Sequence, residues 1–202
     1  MDSLGIIFGS EARVKIIRLF LFNLETVFDL ETIASKSKVS KNNTKKEVSI
    51  LERANLIKRK SFVKIIERKN KKPKKIKTFG YHLNKDFSYV TGLKQLLIKT
   101  KMLEGGEIIK RLSRSGRLKM VVVAGVFTQD KDSRADMLIV GTGMSKSSLT
   151  NAIKSIEAEV GRELIYVYFE KEDFEYRLGM NDRLIRDILD YPHQLLLDKI
   201  NL

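Results

Sequence analysis

Amides, hydroxyls and lysines stand close together in two segments of the sequence, and their chemistry is hydrogen bonding and charge pairing. The first segment holds Ser40, Lys41, Asn42, Asn43, Thr44, Lys45 and Lys46. Asparagine can pair bidentately with adenine, lysine can donate to guanine or phosphate, and serine and threonine can bind phosphates or base edges. The second segment holds Arg68, Lys69, Lys71, Lys72, Lys74 and Lys75. We therefore expect both segments to contact a polyanion.

The positive charge of the chain is concentrated around these two segments. Residues 1–101 carry 24 Lys and Arg against 9 Asp and Glu, whereas residues 102–202 carry 15 against 16. A charge split of this size favours two separate domains. We expect the basic half to bind nucleic acid and the nearly neutral half not to bind it.

Three helices are predicted to position the first segment. Apolar residues spaced by three and four mark a helix over 12–22, and Asp29 is a suitable N-cap for a short second helix. Ser40 would cap a third helix that runs to Ala54, and Asn55 would end it in a left-handed conformation. Two helices joined by a short turn are typical of a helix-turn-helix, in which the start of the second helix lies in the major groove.

A β-hairpin is predicted to carry the second segment. Apolar and polar residues alternate over 56–67 and again over 76–83, which indicates two strands. Residues 68–75 would then form the hairpin tip. Six basic residues at one tip repel each other, and phosphates in place of water would make the cluster favourable.

This order of elements resembles the winged helix-turn-helix domain of small bacterial and archaeal transcription regulators, over about residues 8–85. The resemblance implies that residues 40–46 read double-stranded DNA and that the hairpin is a wing on its backbone. A further helix is predicted over 86–100. Such a helix pairs two subunits in some winged-helix regulators, or it packs on its own domain, and the sequence leaves both interpretations open.

The second half alternates strands and helices, which predicts a small α/β layer. Its segment 123–127 and residues 136–140 of a strand predicted over 135–140 resemble the signature of minimal nucleotidyltransferases. In that family a Gly-Ser turn holds nucleotide phosphates, and two carboxylates on a following strand bind a divalent metal. Gly125 and Asp136 keep the spacing of that signature.

Other residues depart from the signature. Val126 replaces the serine, Leu138 replaces the second carboxylate, and the strand predicted over 164–169 has no acidic residue. One remaining carboxylate would bind Mg²⁺ weakly. We therefore expect an inactive domain, with no catalytic residue, no metal and no cofactor.

Composition excludes several other classes. The chain has no cysteine and only two histidines, so disulfides, thiolate metal sites and His clusters are not expected. It shows neither a run of about 20 apolar residues nor a signal peptide, and a cytoplasmic location without membrane contact is expected.

The sequence as a whole predicts an α+β protein with a winged helix domain (1–85), a linker or dimerisation helix (86–102) and a nucleotidyltransferase-like domain (103–202). The predicted function is a sequence-specific DNA-binding transcription regulator. Its partners would be double-stranded DNA, a second copy of the chain, and a protein or small-molecule effector of the second domain. An active nucleotidyltransferase and an antitoxin-like protein that caps a toxin are the alternatives.

Overall fold

The computed structural model describes residues 3–68, 71–98 and 103–200. It has the predicted α+β composition, with two small sheets. The chain divides into two compact units, residues 1–98 with 158–162 and residues 99–157 with 163–202. This division places residues 86–98 in the first unit, where the sequence predicts a separate linker, and it also assigns 158–162 to that unit.

The first unit contains the predicted helices and hairpin in the predicted order. Its elements are α1 (Ser3–Ile7), α2 (Glu11–Phe22), α3 (Leu30–Ser37), α4 (Lys41–Arg53), β1 (Ile57–Arg68), β2 (Lys71–Leu83) and α5 (Val90–Leu97). The caps of α3 and α4 are confirmed, since Asp29 accepts from the Thr32 N–H at 2.8 Å and Ser40 from the Asn43 N–H at 3.4 Å. The short helix α1 is not predicted from the sequence.

One apolar core holds these helices together. Ile17 and Phe20 of α2, Ile33 of α3 and Val48 and Leu51 of α4 are buried in it. Burying each such side chain contributes about 1.5–3 kcal/mol, so packing rather than helix propensity fixes the arrangement of the three helices.

The helix after the hairpin packs on the same core. It is shorter than the predicted 86–100, because α5 begins at Val90 and ends at Leu97, and residues 99–102 lie outside the described parts of the chain. Leu97 is buried, and Phe87 and Leu93 are half-buried against the core cluster. The apolar stripe of this helix is therefore covered within its own unit.

The second unit is built on a four-stranded mixed sheet. Its elements are α6 (Gly105–Leu112), β3 (Arg117–Val123), β4 (Met137–Thr142), α7 (Lys146–Val160, whose last turn belongs to the first unit), β5 (Tyr166–Glu170), α8 (Lys171–Gly179), α9 (Arg183–Leu189) and β6 (Gln194–Asp198). The strand order is β5-β4-β3-β6, with β4 parallel to β5 and the other pairs antiparallel. Met120, Leu138, Phe174, Ile185 and Ile188 are fully buried between one face of the sheet and α8 and α9.

Strand β6 is missing from the prediction. It pairs with β3 at the edge of the sheet and contains the leucine run 195–197. The strand β4 begins at Met137, two residues later than predicted, and Asp136 before it donates its backbone N–H to the Ile165 carbonyl at 2.6 Å. In the described parts of the chain, no helix has the length and apolar character needed to cross a bilayer.

Candidate nucleic-acid interface

The first two turns of α4 present five polar side chains to solvent. Lys41, Asn42, Asn43, Lys45 and Lys46 are all exposed. None of the three lysines forms an ion pair with another described residue. Ser40 is also exposed, but its hydroxyl already accepts from the backbone of Asn43 as the N-cap. This face can therefore offer amide and ammonium donors to a ligand without first breaking internal contacts.

Thr44 differs from the other residues of the segment. Its side chain is fully buried, and its hydroxyl donates to the Val39 carbonyl at 3.5 Å. Thr44, Val48 and Leu51 lie four and three residues apart, so they share the inward face of α4. The prediction that Thr44 contacts DNA is wrong for this structure, and the residue supports the turn before the helix instead.

An ion pair fixes α4 against α2. The Glu47 carboxylate is nearly buried and accepts from Arg13 Nε at 2.8 Å. Arg13 also donates from Nη1 to the Phe8 carbonyl at 2.6 Å. The pair joins the inward side of α4 to α2, and truncation of one partner would leave the other charge poorly solvated. Sequence reasoning does not find this pair, because 34 residues separate its partners.

The two ends of the turn-and-helix segment use left-handed residues. Asn55 has φ 60°, as predicted from its place after α4. Lys38 has φ 50° at the end of α3, where its N–H bonds to the Ser35 carbonyl at 3.3 Å. A lysine in this conformation is uncommon and has no signal in the sequence. It turns the chain so that Ser40 can begin α4.

The hairpin differs from the prediction at its basic end. β2 begins at Lys71, so residues 71–75 belong to a strand rather than to the tip loop. β1 and β2 pair from Ile57 with Leu83 to Arg68 with Lys71. Pro73 is tolerated because each strand of a two-stranded sheet is an edge strand, where one missing N–H costs little. Lys69 lies outside the described residues, and Arg68, Lys71 and Lys72 take positions on the strands.

Because successive residues of a strand face opposite sides, the wing lysines divide between two faces. Lys74 and Lys75 are both exposed and point to opposite faces, and Lys77 shares the face of Lys75. Arg59 lies on that same face and stacks over the Phe79 ring at 4.4 Å. The two residues of the predicted cluster whose side chains the structure describes, Lys74 and Lys75, therefore lie on different faces of the hairpin.

The hairpin is tied to the start of α3. Lys64 of β1 donates to Asp29 at 2.6 Å and to Glu31 at 3.3 Å. Burial alone would raise the pKa of Asp29, but the hydrogen bonds from Lys64 and Thr32 outweigh it and hold that pKa below 3.8. The hydrogen bond to Asp29 raises the pKa of Lys64 above 10.5.

Close backbone packing completes the hairpin attachment. Phe28 and Tyr81 exchange two backbone hydrogen bonds, of 2.9 and 2.8 Å. The residue before Tyr81 must be a glycine for this contact to form. A Cβ at Gly80 would lie only 2.7 Å from the Phe28 carbonyl oxygen. The base of the hairpin is thus held to the helices by charge, backbone pairing and close contact.

Gly125 and Asp136 are brought together in the second unit. The Asp136 side chain is buried, and its two oxygens accept from the backbone N–H groups of Val126 at 2.8 Å and Ile165 at 2.9 Å. Gly125 has φ 52°, and a Cβ there would lie 2.5 Å from Asp136 Oδ1. The glycine therefore allows the carboxylate to bind the turn, which is a structural contact.

The described parts of the chain bring together no group of three His, Asp or Glu side chains able to hold a metal ion. Glu170 instead accepts from the Tyr168 hydroxyl and from the Gly143 N–H. Burial and the contact with Glu170 raise the pKa of Tyr168 to about 12.

Comparisons with protein-family models, with curated proteins and with solved structures each gave no match.

Proposed function

We propose that the chain is a sequence-specific, double-stranded DNA-binding transcription regulator. The observation that carries the proposal is the exposed start of α4. Two asparagine amides face solvent there, and three lysines have no ion-pair partner among the described residues. The order of three helices and a hairpin supports it, because it resembles the winged helix-turn-helix domain.

Residues of α4 would read the bases. Asn42 and Asn43 have the amide geometry that pairs with adenine, and Lys41, Lys45 and Lys46 can reach guanine or phosphate. The Arg13–Glu47 pair supports this role because it holds the helix from its buried side while the polar face stays exposed. Rigid presentation lowers the cost of binding.

Lysines of the hairpin would supply affinity rather than sequence discrimination. Lys74, Lys75 and Lys77 are exposed ammonium groups on a long strand, and phosphates are the natural partners of such groups. Since they occupy two faces, the hairpin can contact a backbone with only part of this set at one time.

The second unit is proposed to bind an effector or partner rather than to catalyse nucleotide transfer. Both oxygens of Asp136 are used by backbone donors, so metal binding there would first have to break two hydrogen bonds. A homodimer remains part of the proposal. It would use surfaces other than the apolar stripe of α5, which the first unit itself covers.

Salt-dependent binding to a random-sequence duplex tests the electrostatic part of the proposal. The logarithm of the association constant should fall with the logarithm of salt by about 4 to 5 per subunit, if about five phosphates are neutralised. The variant Lys74→Glu, Lys75→Glu should reduce this slope by about 1 to 2.

The charge-matched control is Lys131→Glu, Lys154→Glu, which alters two exposed lysines of the second unit. This control should keep the wild-type slope. Equal losses in the two variants would show that net charge rather than the hairpin drives binding, and the wing assignment would then fail.

A further inference from the structure

A groove of about 370 Å³ lies on the second unit, away from Gly125 and Asp136. Its apolar side is formed by Ile109 of α6, Leu118 of β3 and Leu197 of β6. Ile109 and Leu197 are only half-buried, so each leaves apolar surface open to the groove. The volume falls within the range of small-molecule sites, which is roughly 300–1,000 Å³.

Three cationic residues line the same groove, namely Arg117, Lys119 and Lys199. Arg117 and Lys119 flank Leu118 on β3, where a β-bulge interrupts the pairing with β4 between Leu118 and Met120. Lys199 stands beside them, because its backbone N–H donates to the Lys119 carbonyl at 2.8 Å. The groove is lined by no Asp or Glu.

The three cations also lack internal partners. Elsewhere in this unit cations pair with carboxylates, as Arg134 does with Asp187 and Arg177 with Asp173. Within the described ranges, the side chains of Arg117, Lys119 and Lys199 form neither an ion pair nor a hydrogen bond. Like charges that line one groove repel each other, and a bound anion would reduce that repulsion.

We propose that this groove binds a small organic anion with an apolar body, namely a carboxylate or a phosphate ester on a hydrophobic chain. Arg117, Lys119 and Lys199 hold the anionic group, and Ile109, Leu118 and Leu197 contact the apolar body. Neither property alone explains the groove, because an inorganic anion would leave the apolar surface wet and a neutral ligand would leave the charges unpaired. The site does not depend on the proposed DNA binding.

Calorimetric titration of the full-length protein with four probes tests this site. The probes are octyl phosphate, octanoate, inorganic phosphate and octyltrimethylammonium, each below its micellar concentration. The two amphiphilic anions should bind, and the tighter of them identifies the anionic group that the site prefers. Inorganic phosphate and the cationic amphiphile should bind at least about tenfold more weakly, since each lacks one of the two contacts.

Variants locate the binding. Arg117→Gln, Lys119→Gln, Lys199→Gln should weaken octyl phosphate binding about tenfold or more. The matched control Lys131→Gln, Lys146→Gln, Lys154→Gln removes the same charge from exposed positions and should leave the dissociation constant unchanged. Ile109→Trp keeps every cation and fills the groove, so it should cause a similar loss, and it carries the test if the triple variant fails to fold.

Three outcomes would overturn the proposal. They are equal affinity for inorganic phosphate and octyl phosphate, equal losses in the two triple variants, and unchanged binding in Ile109→Trp.

Discussion

Both oxygens of Asp136 accept backbone N–H groups, one from the turn after β3 and one from the residue before β5. Each donor meets a different carboxylate oxygen, whereas an amide would turn its NH₂ group, itself a donor, towards one of them. The residue that the sequence relates to metal binding is thus suited to joining two segments that lie 10 and 29 residues away from it in the chain.

Asp136→Asn should therefore lower the free energy of unfolding by about 1–3 kcal/mol, because one buried backbone N–H would face the amide NH₂. Urea denaturation measures the change. Asp132→Asn, at an exposed position of the same loop, is the control and should have little effect. A metal-dependent gain in stability for the wild type, lost in Asp136→Asn, would contradict the structural role.

At the same scale, Thr44 and Asn55 show what sequence patterns can and cannot give. The left-handed Asn55 was predictable because Asn tolerates that conformation after a helix. The burial of Thr44 could also be predicted from the sequence, since its spacing to Val48 and Leu51 places it on the apolar face of α4. The Arg13–Glu47 pair and the contacts of Asp136 depend on residues far apart in the chain, and no local pattern contains them.

At the scale of elements, the helices and most strands follow from periodicity, and their ends do not. α4 agrees with the prediction because a cap, an apolar stripe and a left-handed residue all mark it. β2 begins at Lys71, five residues before the predicted strand, because its pairing with β1 continues through residues whose composition resembles a loop. β6 was missed, although its leucine run is a strand signal.

The left-handed end of α4 gives a prediction about this element. Asn55→Ala should lower the free energy of unfolding by about 1 kcal/mol, because a Cβ without a local hydrogen bond is strained at φ 60°. Asn55→Gly should be neutral or stabilising, since glycine adopts this conformation freely. Thermal unfolding of the two variants provides the comparison, and equal losses for Ala and Gly would show that the Asn side chain, rather than the backbone, matters there.

The attachment of the hairpin to α3 should depend on pH. The folded pKa of Asp29 is lowered, so the pair with Lys64 stabilises fully above about pH 4 and loses its effect as pH falls through the folded value. The raised pKa of Lys64 extends the stabilisation up to about pH 10.5, and it is lost as pH rises through the folded value.

Asp29→Asn tests this dependence, because asparagine keeps the N-cap and loses the charge. The wild type should exceed the variant by about 0.5–1 kcal/mol in free energy of unfolding at pH 7, and the difference should shrink below about pH 4. The control is Glu31→Gln, whose carboxylate is 70% exposed against 14% for Asp29, and it should show a smaller difference. If the difference in free energy of unfolding between wild type and Asp29→Asn stays constant from pH 7 to pH 3, the charge pair is not the source of that difference.

At the scale of the whole molecule, three surfaces of the protein differ in the ligand that each is proposed to bind. The start of α4 is proposed to read bases, the hairpin to contact phosphates, and the groove of the second unit to bind an amphiphilic anion. The charge split between the halves of the sequence predicted the first two surfaces in outline. The groove could not be predicted, because its cations come from β3 and from the end of β6, a strand that the sequence analysis missed.

Selection of binding sites from a random double-stranded DNA library tests the central claim most directly. At about 150 mM salt, where sequence-independent contacts are weakened, the wild type should enrich a defined motif. Asn42→Ala, Asn43→Ala should lose discrimination at one or two positions of it, by about 1–3 kcal/mol each. Ser49→Ala, at an exposed position further along α4, should keep the wild-type motif. Binding without enrichment, or an equal loss on every sequence in the Asn variant, would contradict the assignment of α4 as the reading helix.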